Sequence, residues 1–196
     1  MNDIITFDTE TMAGCKNYEP YNFIPETDPI LKTPSVDFDF ASNDAIELSE
    51  RLKATLVKSK ALGVAAPQCG IPVNVFCMGA EGNYTTLFNP KIIFRSEETM
   101  IMEEGCLSFP FLVLSVVRPK TIKIKYQDEQ SNWNELTLDG LSARIAQHEY
   151  DHLIGVTFDN LAKPLALKMG KKKREKNIKY YAKQFAAQQV IHENTR

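Results

Sequence analysis

Cysteine is scarce in this sequence and does not form a framework. The four cysteines are Cys15, Cys69, Cys77 and Cys106, and they contain no C-x-x-C pair and no regular spacing. This pattern argues against a zinc ribbon and against a disulfide-stapled secreted scaffold. It fits a reducing compartment, so we expect a cytoplasmic location.

Long hydrophobic runs are also missing. No apolar stretch approaches the roughly 20 residues that span a membrane, and the N-terminus lacks the apolar core of a signal peptide. Four acidic side chains and a single lysine, Lys16, precede Phe23, which argues against an arginine-rich transit peptide. We therefore expect no membrane partner.

The chain as a whole has no strong excess of either charge, since its net charge is −2. Individual parts of the chain do have such an excess. From Lys163 to Arg196, ten lysines and arginines stand against two glutamates. A basic tail on an acidic body predicts a polyanionic partner, such as RNA or the ribosome surface. A solvated amphipathic helix without a partner explains the pattern equally well, and the sequence leaves both open.

The rest of the composition is that of an ordinary globular protein. The 196 residues are 43% hydrophobic and 24% charged, which suits one domain with a real core. A helical apolar period over residues 41–61 predicts an N-terminal helix, with Ser42 or Asn43 as N-cap. A basic helix is predicted after Pro164. The predicted strands between them are residues 72–78, 84–88, 91–94, 121–126 and 136–138.

The most informative stretch runs from Gln147 to His152. It contains two of the three histidines, four residues apart, in a predicted helix over residues 141–153 that Gly155 terminates. Positions i and i+4 lie on one helix face, so His148 and His152 can bind one metal ion. Glu149 would lie beside that ion as a general base on water. A purely structural metal site explains the two histidines as well.

Two further stretches offer groups that a hydrolytic metal site needs. Cys106 follows a glycine in a predicted turn and would complete an open Cys/His/His site, although a lone cysteine is usually a small buried hydrophobe. Gln68 follows Pro67 on a loop of small residues that begins at Gly63, which suits an amide donor to an oxyanion. Tight packing of a helix end against a strand explains that loop at least as well.

Three separated blocks thus follow one another along the chain: Gly63 to Gln68, Glu104 to Ser108, and Gln147 to Leu153. Together they resemble the three signature motifs of the peptide deformylase family. The second block matches at all five positions, and the third matches at every fixed position. The resemblance covers about residues 23–167.

Together with the element pattern, this resemblance implies an α+β fold. Antiparallel β-sheets would surround the central HExxH helix, with an N-terminal helix and a basic C-terminal helix. The implied organisation is an N-terminal arm over residues 1–22, a catalytic domain over residues 23–167 and a basic helical tail over residues 168–196. The implied activity removes the N-formyl group from the N-terminal formylmethionine of new polypeptides and releases formate. We expect a monomer.

The resemblance also implies the metal site. Cys106, His148 and His152 would bind one divalent ion, natively Fe²⁺ in many members, which Zn²⁺, Ni²⁺ or Co²⁺ can replace. A soft thiolate and two imidazoles suit any of these ions, so the ligands do not choose among them. Glu104 would pair with Arg118 behind the Cys106 loop, unless that pair is an ordinary surface salt bridge.

The remaining implied roles concern the reaction and the substrate. Glu149 would be the general base, while the Gln68 side chain and the Leu107 backbone N–H would stabilise the oxyanion. Phe109 and Phe111 stand where smaller or more polar residues are common in the family, so we expect an unusually apolar outer substrate surface. The implied substrate-binding residues are Leu62, Gly63, Met102, Leu141 and Ile145.

Two other function classes remain open. A general zincin-type metalloprotease explains the HExxH motif but neither Cys106 nor Gln68. A non-catalytic binding module, such as a ribosome-associated protein, needs neither Glu149 nor Gln68. Activity on formylmethionyl peptides, compared with activity on internal peptide bonds, separates these classes.

Overall fold

The computed structural model describes residues 18–193, with side chains as far as residue 184. Most of the predicted arm over residues 1–22 therefore lies outside the described residues. The helices are α1 (Ala45–Ser59), α2 (Gly140–Leu153), α3 (Phe158–Leu161) and α4 (Pro164–Glu193), with 3-10 turns at Pro29–Lys32 and Ala66–Cys69. The strands are β1 (Gly63–Ala65), β2 (Val75–Ala80), β3 (Asn83–Arg95), β4 (Thr99–Cys106), β5 (Phe109–Pro119), β6 (Thr121–Gln127) and β7 (Trp133–Asp139).

In the described part of the chain these strands form two sheets. The larger has the order β1-β2-β3-β6-β7, and the smaller is the hairpin of β4 and β5. All of these strand pairs are antiparallel. The predicted α+β class with antiparallel sheets is confirmed.

The structure corrects the two short strands predicted on either side of Asn89. One strand, β3, runs from Asn83 to Arg95, and its pairing with β6 shifts register between Phe88 and Lys91. Asn89 has a φ of 47°, and its side chain accepts a hydrogen bond from the Phe38 N–H at 2.6 Å. A bulge therefore absorbs the following proline, which cannot donate a ladder hydrogen bond, and the strand continues.

Helix α1 begins later than its predicted caps. Asp44, rather than Ser42 or Asn43, is the N-cap, and its Oδ1 accepts hydrogen bonds from Ile46 N–H and Glu47 N–H at 3.0 Å each. The apolar face of α1 packs into a core with residues of β1 and β2. Tyr21 and Phe23, in the segment before α1, also pack against this core.

Helix α2 runs through the centre of the domain, close to its predicted bounds. Its small side chains Ala143 and Ala146 are fully buried and pack against Phe76 and Ile122 of the large sheet. Gly155 follows the helix end with a φ of 72°, as its predicted terminating role requires. The opposite face of α2 is directed at β1 and the β4–β5 hairpin, where the polar residues of the motif lie.

Helix α4 lies against β5. A side chain at Gly170 would overlap Leu114, so this glycine allows the close approach of helix and strand. Among residues 18–193, no helix combines the length and the apolar character needed to cross a membrane.

Candidate metal centre

Three donor side chains from two elements meet in the interior. Cys106 ends β4, while His148 and His152 lie one turn apart on α2. Their donor atoms all lie within 4.8 Å of one another, and Cys106 Sγ is 3.4 Å from His152 Nε2. One thiol and two imidazoles at this spacing form three corners of a tetrahedral site with a fourth corner open.

The surroundings of the two histidines favour different charge states. Burial lowers the pKa of His148, but hydrogen bonds with Cys106 and Glu104 raise it to about 10. Burial, together with the charge on His148, holds the pKa of His152 well below its usual value. Without a metal ion, a proton is therefore favoured on His148, while His152 stays neutral and keeps a lone pair that can bind a metal.

Glu149 lies beside this cluster with an unsatisfied oxygen. The residue is 4% exposed, and within the described residues its Oε2 has no hydrogen-bond partner. Burial raises the pKa of Glu149 to about 7, and a cation held by the cluster would lower it by attraction. Strand β1 packs so closely against Glu149 that a side chain at Gly63 would overlap the Glu149 carboxylate. A buried carboxylate in this state can accept and return a proton.

Gln68 is fixed by the 3-10 turn that follows β1. Its Oε1 accepts a hydrogen bond from Ala65 N–H at 2.8 Å, and its Nε2 donates to Cys106 Sγ at 3.2 Å. Because the backbone holds the oxygen, the amide N–H groups are directed at the donor cluster. The loop of small residues thus packs tightly, and it also directs the Gln68 amide N–H groups at the three donors.

A buried network of charges supports the donors from behind. Arg118 donates to both oxygens of Glu104, at 2.6 and 2.9 Å, and to Asp151 Oδ2 at 2.6 Å. Arg144 Nη1 donates to Glu104 Oε1 at 2.7 Å, and His148 Nδ1 lies 2.9 Å from Glu104 Oε2. Burial alone would raise the pKa of Glu104, but these hydrogen bonds hold it well below its usual range. The Glu104 carboxylate fixes His148 Nδ1, which leaves Nε2 for the cluster.

A cavity of about 530 Å³ opens onto the cluster, within the usual size range of ligand pockets. Its wall includes Gln68, Cys106, Leu107, His148 and Glu149. It also includes four of the five predicted substrate-binding residues, namely Leu62, Gly63, Leu141 and Ile145. The fifth, Met102, is not among the lining residues. It is half-buried on β4 opposite Val116, on the same face of the strand as Glu104 but further along the strand from the cavity.

Comparison with known proteins agrees with this geometry. A sequence model of the family described as polypeptide deformylase matches residues 20–168. The chain belongs to the peptide deformylase family. The function of this family is the metal-dependent removal of the N-formyl group from new polypeptides.

Individual deformylases are similar over most of their length. The peptide deformylase of Pseudothermotoga lettingae is 39% identical over 134 residues, which are 68% of this chain and 78% of that protein. The crystal structure of the Thermotoga maritima peptide deformylase matches with a TM-score of 0.72 and 34% identity, covering 75% of this chain and 100% of that one. The structure of a Synechococcus elongatus peptide deformylase in complex with actinonin has a TM-score of 0.75 and 31% identity, covering 81% and 88%.

The residues present fit the divalent ion that the deformylase family requires. Cys106, His148 and His152 supply the donor set, and the Glu104 carboxylate fixes the ring of His148 for binding. The buried Glu149 Oε2, without a partner in the described residues, is available to a water molecule in the cavity. The predicted pairing of Glu104 with Arg118 is confirmed as a buried contact rather than a surface salt bridge.

Sequence reasoning missed Arg144 and assigned Asp151 no definite role. Arg144 also donates to Val116 O at 2.9 Å and to Met100 O, so it joins β4, β5 and Glu104. Arg144 precedes His148 by four residues on the helix, and this spacing was the available signal for a shared face. Asp151 anchors Arg118, which extends the network to the far side of the motif.

Proposed function

We propose that this chain deformylates the N-terminal formylmethionine of new polypeptides, with Cys106, His148 and His152 holding one divalent ion. The observation that supports this most directly is the buried Glu149 carboxylate, unpaired at Oε2 within the described residues, beside the three donors. A structural metal site does not need a free carboxylate at that place.

The native ion is proposed to be Fe²⁺, with Zn²⁺, Ni²⁺ or Co²⁺ able to replace it. A thiolate and two imidazoles bind all four ions, so this choice rests on the family rather than on the donors. Bound there, the ion supplies Lewis acidity, which lowers the pKa of a water molecule to about 7 and polarises the formyl carbonyl.

The proposed proton carrier is Glu149. As the water oxygen attacks the formyl carbon, Glu149 takes the proton from the water. When the carbon–nitrogen bond breaks, Glu149 returns that proton to the departing amine, so that formate and a free N-terminus result. Burial raises the pKa of Glu149 and a cation at the three donors would lower it by attraction, so the carboxylate would be ionised and able to take the proton from water.

The oxyanion that forms during attack is stabilised by fixed donors. The Gln68 Nε2 group, held by the bond from Ala65 N–H to Oε1, is one, and the Leu107 backbone N–H is the other. The Gly63 backbone would hold the peptide as an added strand, since β1 is an edge strand of the large sheet. Leu62, Leu141 and Ile145 would receive the methionine side chain, and Met102, which does not line the cavity, is the fourth residue predicted for this pocket.

Contacts beyond the substrate are also proposals. The basic helix α4 would contact the ribosome through its lysines, which supports action on chains as they emerge. The protein is proposed to act as a monomer in the cytoplasm.

The test is a deformylation assay on anaerobically purified protein of known metal content, with formyl-Met-Ala-Ser as substrate and amine release as the signal. Glu149→Ala should keep its metal but lose at least about a hundredfold in kcat/KM, the scale of a lost general base. Glu97→Ala, an exposed acidic residue outside the cavity, is the matched control.

Near-normal turnover by Glu149→Ala would refute the mechanism. Cleavage of internal peptide bonds, without release of formate from formyl-Met-Ala-Ser, would point to a metalloprotease.

A further inference from the structure

A bulge in β5 lies opposite the end of β4 that carries Cys106. Cys106 pairs with Phe109, whereas Gly105, immediately before it, pairs with Val113. Residues 110–112 therefore have no partner on β4 within this hairpin. Bulges beside active sites commonly redirect a side chain, so the side chains of this segment are candidates for a role at the cavity.

Phe111, at the middle of the bulge, has an unusual conformation. Its φ is 64°, in the left-handed region that bulky side chains rarely adopt. Its side chain lines the cavity and the residue is 47% exposed. Such a conformation costs free energy and persists only where the surrounding structure holds it.

Helix α4, which packs against β5, provides that support. The Tyr181 ring stacks on Phe111 with centroids 5.2 Å apart and planes at 20°. Arg174 Nε donates to Pro110 O at 2.9 Å, and Arg174 Nη1 donates to Glu26 Oε1 at 3.1 Å. Gly170 lets the helix lie close enough to β5 for these contacts. The helix thus fixes both the backbone and the ring of the bulge.

The bulge is also within reach of a bound peptide. Paired residues of antiparallel strands have Cα atoms about 5 Å apart, and two strand residues add at most about 7 Å. Phe111 Cα is therefore within about 12 Å of Cys106 Cα, roughly the span of three or four extended residues. A peptide whose formyl group lies at the metal centre would bring its next residues to this distance.

We propose that Phe111 is a specificity-determining residue for the side chains that follow the formylmethionine, and that Tyr181 and Arg174 of α4 are its positioning residues. The ring favours peptides with an aromatic side chain at the first or second position after the methionine. This inference rests on the proposed deformylase function. It gives α4 a role at the active site that does not depend on its basic surface.

The test compares kcat/KM for formyl-Met-Phe-Ser and formyl-Met-Ala-Phe, each divided by kcat/KM for formyl-Met-Ala-Ser. Loss of one aromatic contact should lower at least one ratio by about threefold to tenfold in Phe111→Gly, mainly through KM. Phe111→Tyr keeps the ring and should keep the ratios. Glycine tolerates a positive φ, and Phe111→Asn is a second choice with the same tolerance if Phe111→Gly does not fold.

Tyr181→Ala should lower the same ratio, and Tyr181→Phe, which keeps the stack, should restore it. Phe94→Ala is the matched control, because Phe94 is similarly exposed at 53% but lies on β3 outside the cavity. Unchanged ratios in Phe111→Gly, or a lowered ratio in Phe111→Gly that Tyr181→Ala does not reproduce, would overturn the proposal. A wild-type protein that leaves all three peptides formylated would instead refute the proposed function, and this inference with it.

Discussion

At the scale of single residues, Gln68 makes two hydrogen bonds with opposite roles, and substitution can separate them. Gln68→Glu keeps an acceptor for Ala65 N–H but removes the Nε2 donor. The added negative charge does not repel a cation, so metal content should be retained. We expect kcat/KM for formyl-Met-Ala-Ser to fall by about 10²–10³, the usual cost of one lost oxyanion donor.

Steady-state kinetics, with elemental analysis of the same preparation, measure this effect. Gln130→Glu, an exposed glutamine in the turn before β7, controls for the change of charge. A fall of the same size in the control, or a fall in Gln68→Glu that follows loss of metal, would contradict the assigned role.

Substitution of Glu104 tests whether its carboxylate orients the proposed metal ligand His148. Glu104→Gln removes the charge that Arg118 and Arg144 face, and it weakens the bond that fixes His148 Nδ1. Loss of such supporting contacts typically weakens metal binding by about 10- to 100-fold. Competition with a chelator, followed by metal analysis, should show this weakening, whereas the exposed neighbour variant Glu97→Gln should match the wild type. Equal affinities in the two variants would show that Glu104 does not orient the ligand.

The sequence predicted the reacting residues better than the residues that hold them in place. Cys106, His148, His152, Glu149 and Gln68 lie together, because each belongs to a local block whose chemistry is readable. Arg144 was missed because its partners, Met100 O and Val116 O, are backbone atoms of strands far away in sequence. Met102 is not among the residues that line the cavity, and its part in substrate binding stays a prediction.

At the scale of elements, the start of α1 gives a direct test. Asp44→Ala removes the acceptor for two helix N–H groups and should lower the free energy of unfolding by about 1 kcal/mol. Ser42→Ala is the matched control, since Ser42 was a predicted cap but bonds only Asp39 near the surface. Urea unfolding of both variants measures the difference. A larger loss in Ser42→Ala than in Asp44→Ala would mean that the helix begins where the sequence predicted.

Element types were predictable where the period was strong, as in α1, α2 and β6. The continuity of β3 was not, because it depends on Asn89. A proline after a polar residue usually marks a turn, yet here Phe38 bonds the Asn89 side chain from a segment about fifty residues earlier. That contact stabilises a bulge in place of a break, and no local pattern encodes it.

At the scale of the whole molecule, Glu129 joins the turn before β7 to α1 and makes stability depend on pH. Burial raises its pKa, but the hydrogen bond from Ser49 Oγ at 2.7 Å and the nearby Lys53 ammonium hold it below the usual 4.5. A carboxylate with a lowered folded-state pKa stabilises the fold above its unfolded pKa, and loses that effect as pH falls through the folded value.

Glu129→Gln should therefore be less stable than the wild type near neutral pH. The difference should shrink as pH falls through and below about 4.5, because the wild-type carboxyl then takes up a proton. Urea unfolding at a series of pH values measures it. A difference that grows toward acid pH would contradict the lowered pKa.

The order of the strands in the sheets could not be predicted from the sequence. The order β1-β2-β3-β6-β7 pairs strands across the inserted β4–β5 hairpin, and such long-range pairing leaves no local signal. The family resemblance supplied the general class, but the stacking of Tyr181 on Phe111 joins residues about seventy positions apart and leaves no local signal either.

The separation of Cys106 from His148 and His152 also sets an order of events during synthesis. The β4–β5 hairpin leaves the ribosome well before α2, since chains emerge N-terminus first. A nascent chain that ends before His148 has one of the three donors and cannot compete for a scarce ion. If the three donors hold the ion as proposed, the complete ligand set would form only after α2 has docked against the hairpin, so most of the domain would fold before the centre is complete. Any change that delays the docking of α2 would lengthen the interval in which Cys106 is exposed to oxidants.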